Sequence, residues 1–221
     1  VLADVYGDLS LRQISDLDFL VLESDFKKTV DFLLSQGYQL KVQVPWETHL
    51  TSPNGSYSID LHKDVVPKHL SGFRSSSDLW EYVELRSILG RKLYTFQPAM
   101  MLIILCLNGT KEGWYRLNRI CDVAEMIRAY PDLDWKYVIE LSNQLGSKRL
   151  ILLGLLLANK LLEIELSSVI WQEVNLESKI QELAGDVKNN LIFSGEIIEP
   201  KEVKRTFFYV SIQDHWQDKF R

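Results

Sequence analysis

Asp16 and Asp18 are the pair of residues best spaced to do chemistry together. The apolar residues around and after them, Leu17, Phe19, Leu20, Val21 and Leu22, read as a short buried strand over 16–22. Residues two apart on a strand share a face, so both carboxylates point to one side. Two carboxylates side by side in a partly dry setting repel each other, which raises a pKa unless a cation lies between them. A hard divalent ion such as Mg²⁺ accepts such oxygens and keeps positions for substrate phosphates. Arg12, four residues earlier on a polar loop, has the planar fork that grips a phosphate. Taken alone, Asp-x-Asp is more often a solvated strand edge or a cap. A third carboxylate from a second strand would change that balance.

Asp60 is such a residue. Tyr57 to His62 reads as a strand in which Ile59 and Leu61 face one side and Asp60 and His62 the other. His62 is placed to touch a phosphate or to orient a metal ligand. Three carboxylates from two neighbouring strands are the arrangement used for metal-assisted nucleotidyl transfer.

The elements that must position these groups follow in order. Gly7 to Ser15 is a loop. Ser24 or Asp25 can cap a helix running to about Gln36, with Phe26, Val30, Phe32, Leu33 and Leu34 on its apolar face and Gly37 closing it. Tyr38 to Val44 alternates as a strand. Thr48 to Ser52 and Tyr57 to His62 form two more around Pro53-Asn54-Gly55-Ser56, a strong turn signal. Val65 to Ser77 is loop-like. Trp80 to Arg86 and Lys92 to Phe96 form a hairpin around Gly90. Pro98 opens a helix that is apolar on nearly all sides, with Asn108-Gly109 interrupting it. Arg116 to Ala129 is amphipathic, with Leu117, Ile120, Cys121, Val123, Ala124 and Ile127 inward. Asp134 caps a helix through Leu145. Ser147 to Leu162 is a buried helix, and two more are expected near Leu176 to Ile192 and Val203 to Trp216. The expected class is α+β: a mixed sheet with flanking helices over residues 1–96, then a C-terminal helical bundle over 97–221.

Composition excludes little. Hydrophobic content of 46% with 25% charged residues is ordinary for a globular chain. A net charge of −5 argues against a broad grip on nucleic acid. Cys106 and Cys121 sit in apolar helical patterns and read as buried free thiols, with a disulfide or a reactive thiol as the alternative. Low cysteine use fits a reducing cytoplasm. The longest apolar run, Leu150 to Ala158, is too short to span a bilayer, which needs about 20 residues. The chain begins at Val1, as a fragment or a processed chain would.

Several motifs together resemble a bacterial family, the uncharacterised nucleotidyltransferases, a branch of the DNA polymerase β-type nucleotidyltransferase superfamily. They are Tyr6, Arg12, Asp16, Asp18 and Leu20-Val21; then Asp60-Leu61-His62; then Trp114, Arg116-Leu117 and Asp122-Val123-Ala124-Glu125. The resemblance spans nearly the whole chain. It implies a metal triad of Asp16, Asp18 and Asp60 holding Mg²⁺ or Mn²⁺, with Arg12 and His62 at the nucleotide. It implies transfer of a nucleoside monophosphate from an NTP, with ATP the expected donor. The acceptor hydroxyl would belong to a small molecule, a protein side chain or an RNA end. In the family a Lys-Gly pair lies just ahead of the position of Val1, and histidines often stand where this chain has Asn108 and Glu112. The competing reading is a non-catalytic module that binds a nucleotide or a partner on the same fold.

Other candidates have plainer readings. His49 and His69 read as surface loop histidines. Trp114 and Tyr115 could stack on a base, although packing between helices is the commoner use. Asp122 could bond to Arg116 or Arg119 on its own helix. Lys201, Lys204 and Arg205 read as a solvated basic face.

Overall fold

A computed structural model describes residues 5–13, 16–65, 76–88, 90–193 and 212. Four strands form a mixed sheet: β1 (Asp16–Leu20), β2 (Gln39–Val44), β3 (Glu47–Thr51) and β4 (Ser58–His62), in the order β1-β4-β3-β2. β1 runs parallel to β4, and the other pairs are antiparallel. A parallel pair needs a crossover, and α1 (Glu23–Ser35) begins it. Its Phe26, Val30 and Leu33 pack with Val21 and Tyr38 on Leu50, Ile59 and Leu61 of the sheet. The turn from β3 to β4 is held by Asn54, whose Oδ1 accepts from the Ser56 backbone N–H at 3.2 Å, with Gly55 at φ +71°. A separate hairpin follows, β5 (Val83–Ile88) and β6 (Arg91–Phe96).

Six helices complete the described chain: α2 (Pro98–Lys111), α3 (Leu117–Ala129), α4 (Trp135–Gln144), α5 (Lys148–Leu162), α6 (Ser168–Leu176) and α7 (Ser178–Phe193). The fold is α+β, with helices at the C-terminal end. α2 is buried nearly all round, as a helix apolar on every side must be. It packs against α3 and α5, and α5 buries every residue from Leu150 to Ala158. Each fully buried aliphatic side chain there contributes roughly 1.5–3 kcal/mol. Val5 and Leu79 join the same core. No described helix is long and apolar enough to cross a membrane.

Trp114 locks the helices together. It is fully buried and lies against Gly109 and Gly154, where a Cβ would fall 2.3 Å and 2.9 Å from its ring atoms. So Asn108-Gly109 does not interrupt α2, which runs on to Lys111. Gly109 is there because the indole fills the space a side chain would take. The packing reading of Trp114 holds. Its backbone is left-handed at φ +59°, directly after Gly113 at +66°.

Other expectations shift. The 16–22 segment is not a buried strand: β1 is an edge strand, and Leu17 and Phe19 are 43% and 49% exposed. α1 begins one residue before Ser24, and no side chain caps it. Trp80–Tyr82 is a 3-10 turn, with strand starting only at Val83. Leu117 is exposed rather than inward. Cys106 is buried and Cys121 half-buried, and both are free thiols. α6 has no counterpart in the sequence reading, whereas Asp134 caps α4 as expected, accepting from the Lys136 and Tyr137 backbone N–H groups. Most of the 65–77 loop, and the helix expected over 203–216 apart from Ile212, lie outside the described residues, as do His69, Lys201, Lys204 and Arg205.

Candidate metal and nucleotide site

The side of the mixed sheet that α1 leaves uncovered carries the acids. Strand register sets them in rows. Asp18 lies opposite Asp60 across the parallel β1–β4 pair, and Asp60 lies opposite His49 across β4–β3. In the next row Leu20, His62 and Glu47 are aligned. Asp16 lies one row the other way, opposite Ser58. Alternation buries Ile59 and Leu61 under α1 and turns Asp60 and His62 to this face.

Side chains then link the rows. His62 bonds diagonally through Nε2 to Asp18 Oδ1 at 2.8 Å. Its Nδ1 faces Glu47 Oε2 at 3.5 Å, and Lys111 Nζ lies 3.6 Å from the same oxygen. His49 Nδ1 bonds Asp60 Oδ1. His49 is therefore not a loop histidine: it is a β3 residue tied to the central carboxylate. A histidine between the β-formers Thr48 and Thr51, four residues before Pro53-Asn54-Gly55, is the sequence signal for it.

The two carboxylates are pushed apart electrostatically. Burial raises the Asp60 pKa, and the charges of Asp16 and Asp18 add to that, against the opposing His49 bond. At Asp18 crowding also pushes upward, yet the His62 bond and the charges of His62, Arg119 and Lys111 prevail and hold it below the ordinary carboxylate value. The Asp18 side chain is still 71% exposed, so these charges act through water and are screened. One donor atom each from Asp18, Asp60 and His62 lies within 4.8 Å of the others. Two carboxylate oxygens and an imidazole nitrogen, with mutual repulsion to relieve, fit a divalent cation. Asp16 shares the face but lies outside that cluster.

Arg12 has another partner. Its Nε donates to Asp122 Oδ1 at 2.8 Å and its Nη2 to Oδ2 at 3.1 Å, while Nη1 donates to the Gln13 carbonyl. Tyr6 donates its hydroxyl to Asp122 Oδ1 at 2.9 Å. Asp122 is thus bonded to the N-terminal segment, not to Arg116 or Arg119. Burial and the Asp122 bond push the Tyr6 phenol well up. Arg119 instead pairs with Glu112, and Arg119 Nε and Glu112 Oε2 are buried without a hydrogen-bond partner among the described residues. Asn108 is half-buried in α2, and Glu112 sits at its C-terminal cap.

A mixed sheet with paired acids on its open face, followed by helices that bring cations to it, is the build of a nucleotidyltransferase. The profile of a family described as uncharacterised nucleotidyltransferase matches residues 1–163, and the chain belongs to that family. Comparison with curated proteins and with solved structures finds no match.

Proposed function

We propose that the chain transfers a nucleoside monophosphate from an NTP, with ATP the first donor to try, to an acceptor hydroxyl. The observation that carries this is the cross-strand pair Asp18–Asp60 beside His62, with the charges of Arg119 and Lys111 acting on Asp18. Asp18 and Asp60, with His62 beside them, would form the site for the divalent cation, Mg²⁺ or Mn²⁺, which supplies charge neutralisation at the triphosphate and the leaving pyrophosphate. Asp16 flanks that cluster and would receive the proton of the attacking hydroxyl. The acceptor oxygen forms a bond to the α-phosphorus as the bond to pyrophosphate breaks. Arg119 takes the phosphate-binding part first expected of Arg12 in this reading, because its charge acts on Asp18 while the Arg12 fork is bonded to Asp122. Arg12 holds the loop that leads into β1. Positioning and charge supply most of the rate.

The test is thermal stabilisation across the four NTPs with Mg²⁺ or Mn²⁺, using Asp18→Ala and Asp60→Ala as controls. A ligand at ~100 times its Kd adds about 2.7 kcal/mol. A metal-dependent shift that favours one NTP and vanishes in both variants supports the reading. No shift in the unaltered protein sinks it. A shift without pyrophosphate release against any acceptor pool would instead favour the binding module.

A further inference from the structure

We infer that His62 is itself a metal ligand through Nε2, and that the site it completes prefers a first-row transition ion to Mg²⁺. The proposal deepens the nucleotidyltransferase reading and rests on it for the presence of a cation. It starts from a buried atom with no partner.

His62 has two ring nitrogens with different neighbours. With a proton on Nε2, the ring donates to Asp18 Oδ1 at 2.8 Å. Nδ1 then carries a lone pair, buried, with no hydrogen-bond partner among the described residues. The nearest polar group it faces is a second acceptor, Glu47 Oε2 at 3.5 Å. A lone pair aimed at a carboxylate is the less favourable of the two tautomers on that side. Moving the proton to Nδ1 reverses this, because Nδ1–H then points at Glu47. The lone pair moves to Nε2, which faces Asp18. Two acceptors at that spacing call for a cation between them.

The spacing suits one. Neighbouring ligands of an octahedral ion with bonds of 2.0–2.1 Å lie about 3 Å apart. The 2.8 Å between Nε2 and Asp18 Oδ1 is close to that edge. Asp60 brings a third donor, and all three lie within 4.8 Å. A ligating histidine ordinarily donates its other N–H to a carboxylate, which fixes its tautomer and raises its basicity. Glu47 holds that place because β3 sets it opposite His62. Lys111, 3.6 Å from Glu47 Oε2, offsets the charge of the supporting carboxylate.

Nitrogen in the donor set has a consequence for ion choice. Mg²⁺ is a hard ion that strongly prefers oxygen, whereas imidazole suits later first-row ions. An all-carboxylate triad would not discriminate in this way. His62 should therefore tilt the site away from Mg²⁺.

Mn²⁺ is the probe, because its spin reports its ligands directly. The experiment is a titration of the whole chain with MnCl₂, without nucleotide, followed by EPR. Pulsed EPR then reads coupling to ¹⁴N. The expected result is bound Mn²⁺ with a directly coordinated nitrogen. That coupling should persist in His49→Gln and Glu47→Gln, and disappear in His62→Gln. Glu47→Gln should weaken Mn²⁺ binding by about 10–100-fold, as loss of a supporting carboxylate does. The Mg²⁺ excess needed to displace Mn²⁺ should fall in His62→Gln. Thermal melts of each variant confirm that it is folded, and the nitrogen coupling of the unaltered protein needs no variant at all. Bound Mn²⁺ without nitrogen coupling would overturn the His62 assignment and leave a carboxylate site for nucleotidyl transfer intact. A coupling retained in His62→Gln would overturn it too. Absence of any bound Mn²⁺, with and without a non-hydrolysable NTP, would overturn both the inference and the reading beneath it.

Discussion

Arg12 and Asp122 stand 110 residues apart in the chain and form a two-pronged ion pair, with the Asp122 side chain only 1% exposed. Tyr6 completes the network from the other side of the Gly7 loop. One carboxylate on α3 thus ties down both ends of the loop that leads into β1. The loop's outcome is the position of Asp16 and Asp18. The motif residues Tyr6, Arg12 and Asp122 form one hydrogen-bonded unit.

Breaking that unit should be costly. Asp122→Ala strips the Arg12 side chain, 15% exposed, of its two-pronged partner, and removal of one partner of a buried pair costs about 3–5 kcal/mol. Tyr6→Phe removes a single bond to a charged acceptor, for a smaller loss of about 1.5–3 kcal/mol. Urea unfolding measures both. An Asp122→Ala protein as stable as the original would show that the ion pair does not hold the loop.

The glycines beneath Trp114 should behave unlike Gly185. In Gly109→Ala the new Cβ would meet the indole at 2.3 Å, and in Gly154→Ala it would meet Cys106 Sγ at 2.6 Å. Overpacking of this kind costs about 1–3 kcal/mol or more. A Cβ at Gly185, inside α7, meets nothing within 4 Å. Gly185→Ala should instead stabilise by roughly 0.5–1 kcal/mol through helix propensity. Thermal melts of the three variants should split in sign.

Acid dependence should distinguish the two carboxylates. Asp18 sits below its ordinary value, so its contribution is present above about pH 3.9 and is lost as pH falls below that through the folded value. Asp60 sits above its ordinary value, so its contribution has the opposite sign. It is fully present below about pH 3.9 and is lost as pH rises through the raised value. In chelator, Asp60→Asn should therefore gain on the original protein as pH rises through that window. A saturating divalent cation should reverse the order, because only the original protein binds it. Melting temperatures across pH, with and without metal, would show the crossover. Its absence would mean that Asp60 bears no such strain.

Arg119 should matter to nucleotide and not to the bare ion. Loss of one charge-assisted bond to phosphate is worth about 1.5–3 kcal/mol, or a tenfold or greater rise in Kd. In Arg119→Ala, NTP titrations with Mn²⁺ present should weaken by that much while Mn²⁺ affinity alone does not fall, since the lost charge repels the ion at Asp18. Equal nucleotide affinity in the variant would return the phosphate role to another cation.

Local pattern decided much of this protein. Alternation in Ser58–His62 alone predicted which residues go under the helix and which carry chemistry, because a pleated strand leaves no other choice. The Pro53–Ser56 turn, the Asp134 cap and the all-apolar α2 were equally local in cause. The pairing of Asp18 with Asp60 followed from motif and strand order, but its parallel register did not. Tertiary structure decided what depends on partners distant in the chain. β1 reads as buried from its apolar residues, yet it lies at the sheet edge, where Leu17 and Phe19 have a neighbour on one side only. His49 has no partner within its own segment; a cross-strand register supplies Asp60. Asp122 had two arginines close by on its helix and bonded a third 110 residues away, because packing, not proximity in sequence, brings a buried charge its counter-charge.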